Sequence, residues 1–286
     1  MPRLITIAMS NIAKPKVAPP GAARLKQDEL ILQGTIIYGD DFQPIEGYIS
    51  IRDGSIKEAG TGQVDADLEG IVCPRFVNSH IHLGDSAFKD PPFLPLSELV
   101  GPKGLKISLL SETPRERLIE GMRRSLAQMV DSGTYAFADF REGGEAGVRM
   151  LQEAAKDMPL LVRIFGRPAQ GETETPEGCY GLGISSTRDF DPSLIQRMIL
   201  EARRAGKAVA IHAGESARDD IPDAFSLLPD HMVHMSRAEE SDLRSVAQKG
   251  TPLVICPRSN LITGSGLPNV KRMIELGITV GVGTDN

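Results

Sequence analysis

The spacing of apolar residues changes near residue 71, and the change divides the chain into two regions. Upstream, short β-rich runs dominate: Leu30-Ile31-Leu32, Thr35-Ile36-Ile37-Tyr38 and Gly47-Tyr48-Ile49-Ser50-Ile51. Asp53-Gly54 separates the last run from a return strand opening at Ile56. Such a dipeptide is a strong hairpin signal, because both residues tolerate the positive φ of a tight turn. Residues 28–70 therefore read as a β-meander, part of a small β-sandwich domain. Residues 1–27 carry Pro15, Pro19, Pro20 and Gly21 among small and basic residues. They read as a disordered leader, with Leu4-Ile5-Thr6-Ile7 as a stray strand.

From residue 71 onward, apolar runs of strand length alternate with stretches of helical period. Strands centre near residues 77, 137, 162, 183, 210, 233, 254 and 280. Helices are expected from Thr113-Pro114 to Val130, over 144–157, over 192–205 and over 268–276. Another is opened by a capping box at Ser236-Arg237-Ala238-Glu239 and closed at Gly250. Eight strands with intervening helices predict an α/β fold, a (β/α)₈ TIM barrel over residues 71–286. The chain stops at Asn286, just after the eighth strand. The expectation is a truncated C-terminal end, with the last barrel helix and the strands completing the small β-domain beyond it.

Composition narrows the function classes. The chain is 41% hydrophobic and 24% charged, ordinary values for a globular protein. A net charge of −6 and the lack of a Lys/Arg run speak against a nucleic-acid surface. No apolar stretch reaches membrane-spanning length, and the N-terminus lacks a secretory core, so a cytoplasmic location is expected. Cys73, Cys179 and Cys256 are isolated, which points to neither a disulfide framework nor a thiolate zinc site. The expected partner is a small-molecule substrate, not nucleic acid or a membrane; a homo-oligomer is left open.

All five histidines fall in three short motifs, each at the end of an apolar run. His80 and His82 sit in Val-Asn-Ser-His-Ile-His-Leu-Gly, His212 in Val-Ala-Ile-His-Ala-Gly-Glu, and His231 and His234 in Asp-His-Met-Val-His-Met-Ser. Positions i and i+2 of a strand face the same side, so His80 and His82 can both face the barrel mouth. With His212 and Asp285 of Gly-Val-Gly-Thr-Asp they form a mixed N/O set suited to one divalent ion, zinc or iron. A lone histidine is more often a hydrogen-bonded core or surface residue; the joint placement at predicted strand ends points to a metal. Glu215, three residues past His212, is placed to move a proton between water and a leaving group.

These motifs resemble the amidohydrolase superfamily, in its branch of aromatic-base deaminases and chlorohydrolases. The resemblance rests on Phe76-Val77-Asn78-Ser79-His80-Ile81-His82, Ile211-His212-Ala213-Gly214-Glu215, Cys256-Pro257-Arg258-Ser259-Asn260 and Gly281-Val282-Gly283-Thr284-Asp285. It implies a metal held by His80, His82, His212 and Asp285, and a further histidine after strand six that holds the water or the developing oxyanion. Family spacing assigns that role to His234 and leaves His231 as a surface or loop residue. The strand-four segment, Gly181 to Thr187, has no lysine or acid to bridge a second ion, so one metal is implied. Arg75 departs from the glycine usual at its position.

The catalytic set implied is Glu215, His234 and Asp285. Arg141 and Arg167, ending strands two and three, are candidate substrate contacts, as are Ser259 and Asn260; Ser259 and Asn260 can alternatively orient Asp285. Pro91 to Gly104 reads as a lid. The expected activity is hydrolytic deamination of an amino-substituted aromatic heterocycle, nucleobase- or nucleoside-like, at a C–N bond other than a peptide bond. The alternatives are ring-amide (imidazolone-type) hydrolysis or chloride removal at the same site, and a non-catalytic truncated fold acting as an interaction module.

Overall fold

The computed structural model describes residues 29–39, 41–88, 90–101 and 103–285, with backbone alone for 3–7 and 16–17. The chain forms two compact units, Met1–Phe76 and Val77–Asn286.

The first unit is a sheet of β1 (Arg3–Ile7), β2 (Lys16–Val17), β3 (Leu30–Tyr38), β4 (Gln43–Arg52), β5 (Ser55–Thr61) and β6 (Leu68–Pro74), in the order β1-β6-β3-β4-β5-β2. Alternation on β3 and β4 sends Leu32, Ile36 and Ile49 into a common core with Ala59 and Val72. Asp53 and Gly54 join β4 to β5 with φ of 52° and 69°, the two positive values a type I′ hairpin requires. Two segments of the 1–27 leader are thus strands of this sheet; its Pro15, Pro19, Pro20 and Gly21 lie outside the described residues.

The second unit is built on eight parallel strands, β7 (Phe76–Ile81), β8 (Thr134–Arg141), β9 (Leu161–Gly166), β10 (Gly181–Ile184), β11 (Ala208–Ala213), β12 (His231–His234), β13 (Leu253–Ile255) and β14 (Val280–Val282). They pair in sequence order from β7 to β14. Main-chain bonds then join the two ends: His82 N donates to the Asp285 carbonyl at 2.9 Å, and Asp285 N donates to the His80 carbonyl at 3.0 Å. The barrel closes, therefore, through backbone of the residues that carry the candidate ligands.

Alternation also sorts the barrel's two faces. Phe140, Phe165, Ala210, Val233, Val254 and Cys256 fill the interior. Outward positions such as Leu182, Val209, Ile211, Met232 and Leu253 pack against helices. Helix α3 (Arg115–Asp131) buries Leu118, Ile119, Met122, Leu126 and Met129, one stripe at helical spacing, against the stripe of α4 (Gly144–Ala155). Helices α5 (Pro192–Arg204), α7 (Glu240–Lys249) and α9 (Val270–Glu275) cover the other strands, and α6 (Ile221–Ser226) and α8 (Pro257–Ile262) are shorter.

One local expectation differs from the structure, and two segments gain detail. The capping box sits one turn later, with Glu239 capping and Asp242 reciprocating, because Ser236 Oγ is occupied by the Asn260 amide. Cys256-Pro257-Arg258-Ser259-Asn260 is the entry to α8, with Pro257 in its first turn. The lid segment contains a short helix, α1 (Leu96–Val100), and leads directly into α2 (Leu105–Glu112).

Candidate metal centre

The C-terminal ends of β7, β11 and β12 deliver four imidazoles to one point beside Asp285. His80 Nε2 lies 3.2 Å from Asp285 Oδ1 and 3.2 Å from His212 Nε2. His82 Nε2 is 3.6 Å from the same Asp285 oxygen. His80, His82, His212, His234 and Asp285 are all buried. Ligands about 2.0–2.2 Å from a tetrahedral ion stand roughly 3.3–3.6 Å apart, so these separations suit a common first-row divalent ion.

The opposite edges of the rings are anchored. His82 Nδ1 donates to the Phe140 carbonyl at 3.1 Å and to Glu142 Oε1 at 3.0 Å. His212 Nδ1 donates to the Ile184 carbonyl at 2.9 Å. Each bond places the proton on Nδ1 and leaves the Nε2 lone pair facing the centre. His80 Nδ1 is buried with no hydrogen-bond partner among the described residues. Burial pushes the His80 pKa down to about 3 and holds His212 well below its usual value, so both rings are neutral at pH 7. For Asp285, burial alone would raise the carboxyl; the His80 hydrogen bond and the pull of His234, His80 and His82 outweigh it and keep it ionised. Neutral imidazoles and an ionised carboxylate are the protonation states that metal binding needs. The residues present fit a divalent ion.

His234 reaches the site against the alternation of its strand. Met232 packs outward and Val233 inward, so regular geometry would turn His234 outward. Left-handed backbone at His234, φ 76°, and at Met235, φ 52°, reverses it. Asp285 is left-handed too, at 66°. Such non-glycine conformations cost of order 1–3 kcal/mol each and concentrate at functional sites. His234 Nδ1 donates to Asn260 Oδ1 at 3.2 Å, and its Nε2 lies 3.6 Å from Glu215 Oε2. Burial raises the Glu215 carboxyl, and nearby Asp285 adds to that against the pull of His234.

A cavity of about 280 Å³ opens over this cluster, lined by His82, His212, Glu215, His234 and Asp285 at its base. Leu96, Leu99 and Val100 of the lid and Ile107 of α2 give it an apolar wall. Arg167 also lines it; its Nε is buried, and its side chain has no partner among the described residues.

Ser259 lines the cavity and donates from Oγ to Asp285 Oδ2 at 2.6 Å. Asn260 is fully buried between His234 and Ser236, so it orients the His234 ring rather than facing a substrate. Arg141 corrects the sequence reading: it is 3% exposed and turned away from the cavity, held by Glu142 Oε2 at 3.0 Å and near Asp139 Oδ1 at 3.8 Å. Its guanidinium occupies space that opens only because residue 84 is glycine, since a Cβ there would overlap Nη2.

His231 is likewise not a surface or loop residue. It begins β12 inside the barrel, its ring edge-on to Phe165 at 5.1 Å between centroids, and burial lowers its pKa to about 4. It opens the strand that His234 closes and belongs to none of the side-chain groups placed to hold an ion among the described residues. Cys256 lies near Asp285, but burial raises its thiol far above the usual range, so it stays protonated.

Buried Glu142, Lys106 and Asp139, with half-buried Asp85, form a polar group beneath His82 that sequence reading missed. Glu142 follows Arg141 directly in sequence, and only their packing shows that the glutamate, not the arginine, touches the site.

An inward cluster of histidines and a carboxylate at the C-terminal mouth of a TIM barrel defines a class of metal-dependent hydrolase folds. The chain belongs to the amidohydrolase family, whose profile matches residues 71–286. It is 35% identical, over an alignment 296 positions long, to a provisionally named aminohydrolase of Methanothermobacter thermautotrophicus, covering 90% of this chain and 75% of that protein. It is 25% identical to a 5-methylthioadenosine/S-adenosylhomocysteine deaminase of Natronomonas pharaonis, over 81% of this chain and 61% of the relative. The zinc-complexed atrazine chlorohydrolase of Arthrobacter aurescens TC1 shares the fold, with a TM-score of 0.68 at 17% identity, over 90% of this chain and 72% of that one.

Proposed function

We propose that the protein hydrolyses an amino-substituted aromatic heterocycle, releasing ammonia, at a single zinc ion held by His80, His82, His212 and Asp285. The observation that carries this reading is the meeting of His80 Nε2, His212 Nε2 and Asp285 Oδ1 within 3.2 Å of His80, with the His212 proton tied to the far side of its ring. The deaminase name of a relative agrees with it. Zinc is favoured over iron because a structural neighbour is zinc-complexed.

When bound, the ion supplies Lewis-acid activation of water at neutral pH. The chain's own residues supply the proton transfers. Glu215, its carboxyl raised by burial, takes a proton from the attacking water and passes it to the amino nitrogen as the C–N bond breaks. Asp285 accepts the water's second proton and returns it to the ring nitrogen beside the reacting carbon, so that a ring carbonyl with a protonated nitrogen and ammonia leave together; Ser259 fixes its other oxygen. His234, held in place by Asn260, faces the carbon under attack and stabilises the charge that develops. Arg167 contacts a polar or anionic substituent of the ring, and the apolar lid covers its face.

The test is a panel of aminopurines, aminopyrimidines, their nucleosides, imidazolones and chlorotriazines with zinc-loaded protein. Ammonia, ring opening and chloride are measured separately. Ammonia release supports the proposal. Ring opening or chloride alone replaces it with one of the other two hydrolases. No product from any class contradicts an enzymatic role and favours an interaction module.

A further inference from the structure

Lys106, the second residue of α2, is a lysine only 8% exposed and belongs to none of the motifs that define the site. Its Nζ lies 2.7 Å from Glu142 Oε1 and 3.0 Å from Asp85 Oδ2. The same Glu142 oxygen accepts the His82 Nδ1 hydrogen bond at 3.0 Å. One carboxylate oxygen therefore connects α2, the helix that follows the lid, to an imidazole of the metal cluster. Glu142 is held on its other side as well, its second oxygen accepting a hydrogen bond from Arg141 Nη2 at 3.0 Å. Neighbouring Ile107 and the α1 residues Leu96 and Leu99 form the cavity wall, so movement of Lys106 and opening of the cavity involve the same segment.

We propose that Lys106 is a positioning residue that latches the α1–α2 segment over the cavity and, through Glu142, fixes the orientation of His82. Lid closure and retention of the ion are then one coupled equilibrium. The inference rests on the reading of His82 as a metal ligand. Coupling of this kind is reciprocal: if closure tightens the grip on zinc, zinc strengthens closure by the same factor. Partners that orient a metal-bound histidine typically change metal affinity by about 10–100-fold when removed.

The experiment is hydrogen exchange of residues 105–112, with and without zinc, on the wild type, Lys106→Gln and Lys106→Arg, with zinc affinity measured by chelator competition. In the wild type, zinc is expected to slow exchange of α2 roughly tenfold. Lys106→Gln is expected to remove that zinc dependence and to weaken zinc about tenfold, and Lys106→Arg to restore part of both. Should Lys106→Gln fail to fold, the wild-type comparison and Lys106→Arg still decide. Stoichiometric zinc with unchanged α2 exchange in the wild type overturns the latch and leaves the proposed function standing. Absence of zinc binding overturns the metal reading and the latch with it.

Discussion

Ser259→Ala isolates the orientation of Asp285 from its identity. The hydroxyl donates to Asp285 Oδ2 at 2.6 Å in a buried setting, while Oδ1 faces His80 and His82. A hydrogen bond to a charged group contributes about 1.5–3 kcal/mol, and its loss leaves a buried carboxylate oxygen unpaired. Part of that cost falls on the metal-free state as well, so the share visible in metal binding is about 1.4–2.7 kcal/mol. That is a 10- to 100-fold weaker zinc affinity, the range found for partners that orient a ligand. The assay is competition with a calibrated chelator at pH 7.5, with Ser125→Ala as the control; Ser125 bonds Ser86 and touches none of the ligands. Zinc affinity within twofold of wild type for Ser259→Ala would refute the assignment of Asp285 as a ligand held by Ser259.

Other substitutions probe separate parts of the account. Glu215→Gln is expected to lower turnover by about 10²–10⁴-fold in the ammonia assay while zinc content stays near wild type, since the carboxyl moves protons without binding the ion. Gly283→Ala places a Cβ 2.7 Å from the His80 Cβ and carbonyl oxygen at the barrel seam. Denaturant titration should show a loss of about 1–3 kcal/mol or more, because backbone must shift to relieve the overlap. His231 contributes a pH effect: its folded pKa of about 4 is depressed from 6.5, so folding excludes a proton that the unfolded chain binds. Stability is therefore unaffected above pH 6.5 and falls as pH drops toward 4, by up to about 3 kcal/mol. His231→Phe should flatten that part of the stability–pH curve relative to wild type; an unchanged slope would exclude His231 as its source.

Much of this architecture is legible in sequence because it depends on local periodicity. Each of the eight strands carries an apolar run, and Asp53-Gly54 specifies its turn by conformational preference alone. His80 and His82 follow from strand alternation, and His212 and Asp285 from their places at strand ends. His234 does not: alternation would turn it outward, and only a left-handed residue, invisible in residue type, brings it in. The reading of Arg141 failed for a related reason. A charged residue at a strand end can face the cavity or the space beneath the loop, and packing between Gly84 and Glu142 decides which. Glu142 and Lys106 meet from positions 36 residues apart in sequence, with no motif linking them. His231 read as peripheral because family spacing gave the site role to His234 and left no role for its neighbour, whereas the barrel uses it as an interior ring against Phe165.

The central claim is a single divalent ion gripped from β7, from β11 and from Asp285 beyond β14. Its most direct test is metal content of the purified, zinc-equilibrated protein by elemental analysis, beside His212→Ala and Asp285→Ala. The account predicts one zinc per chain in the wild type and substoichiometric zinc in both variants. Two ions per chain, or full occupancy retained in either variant, would contradict it.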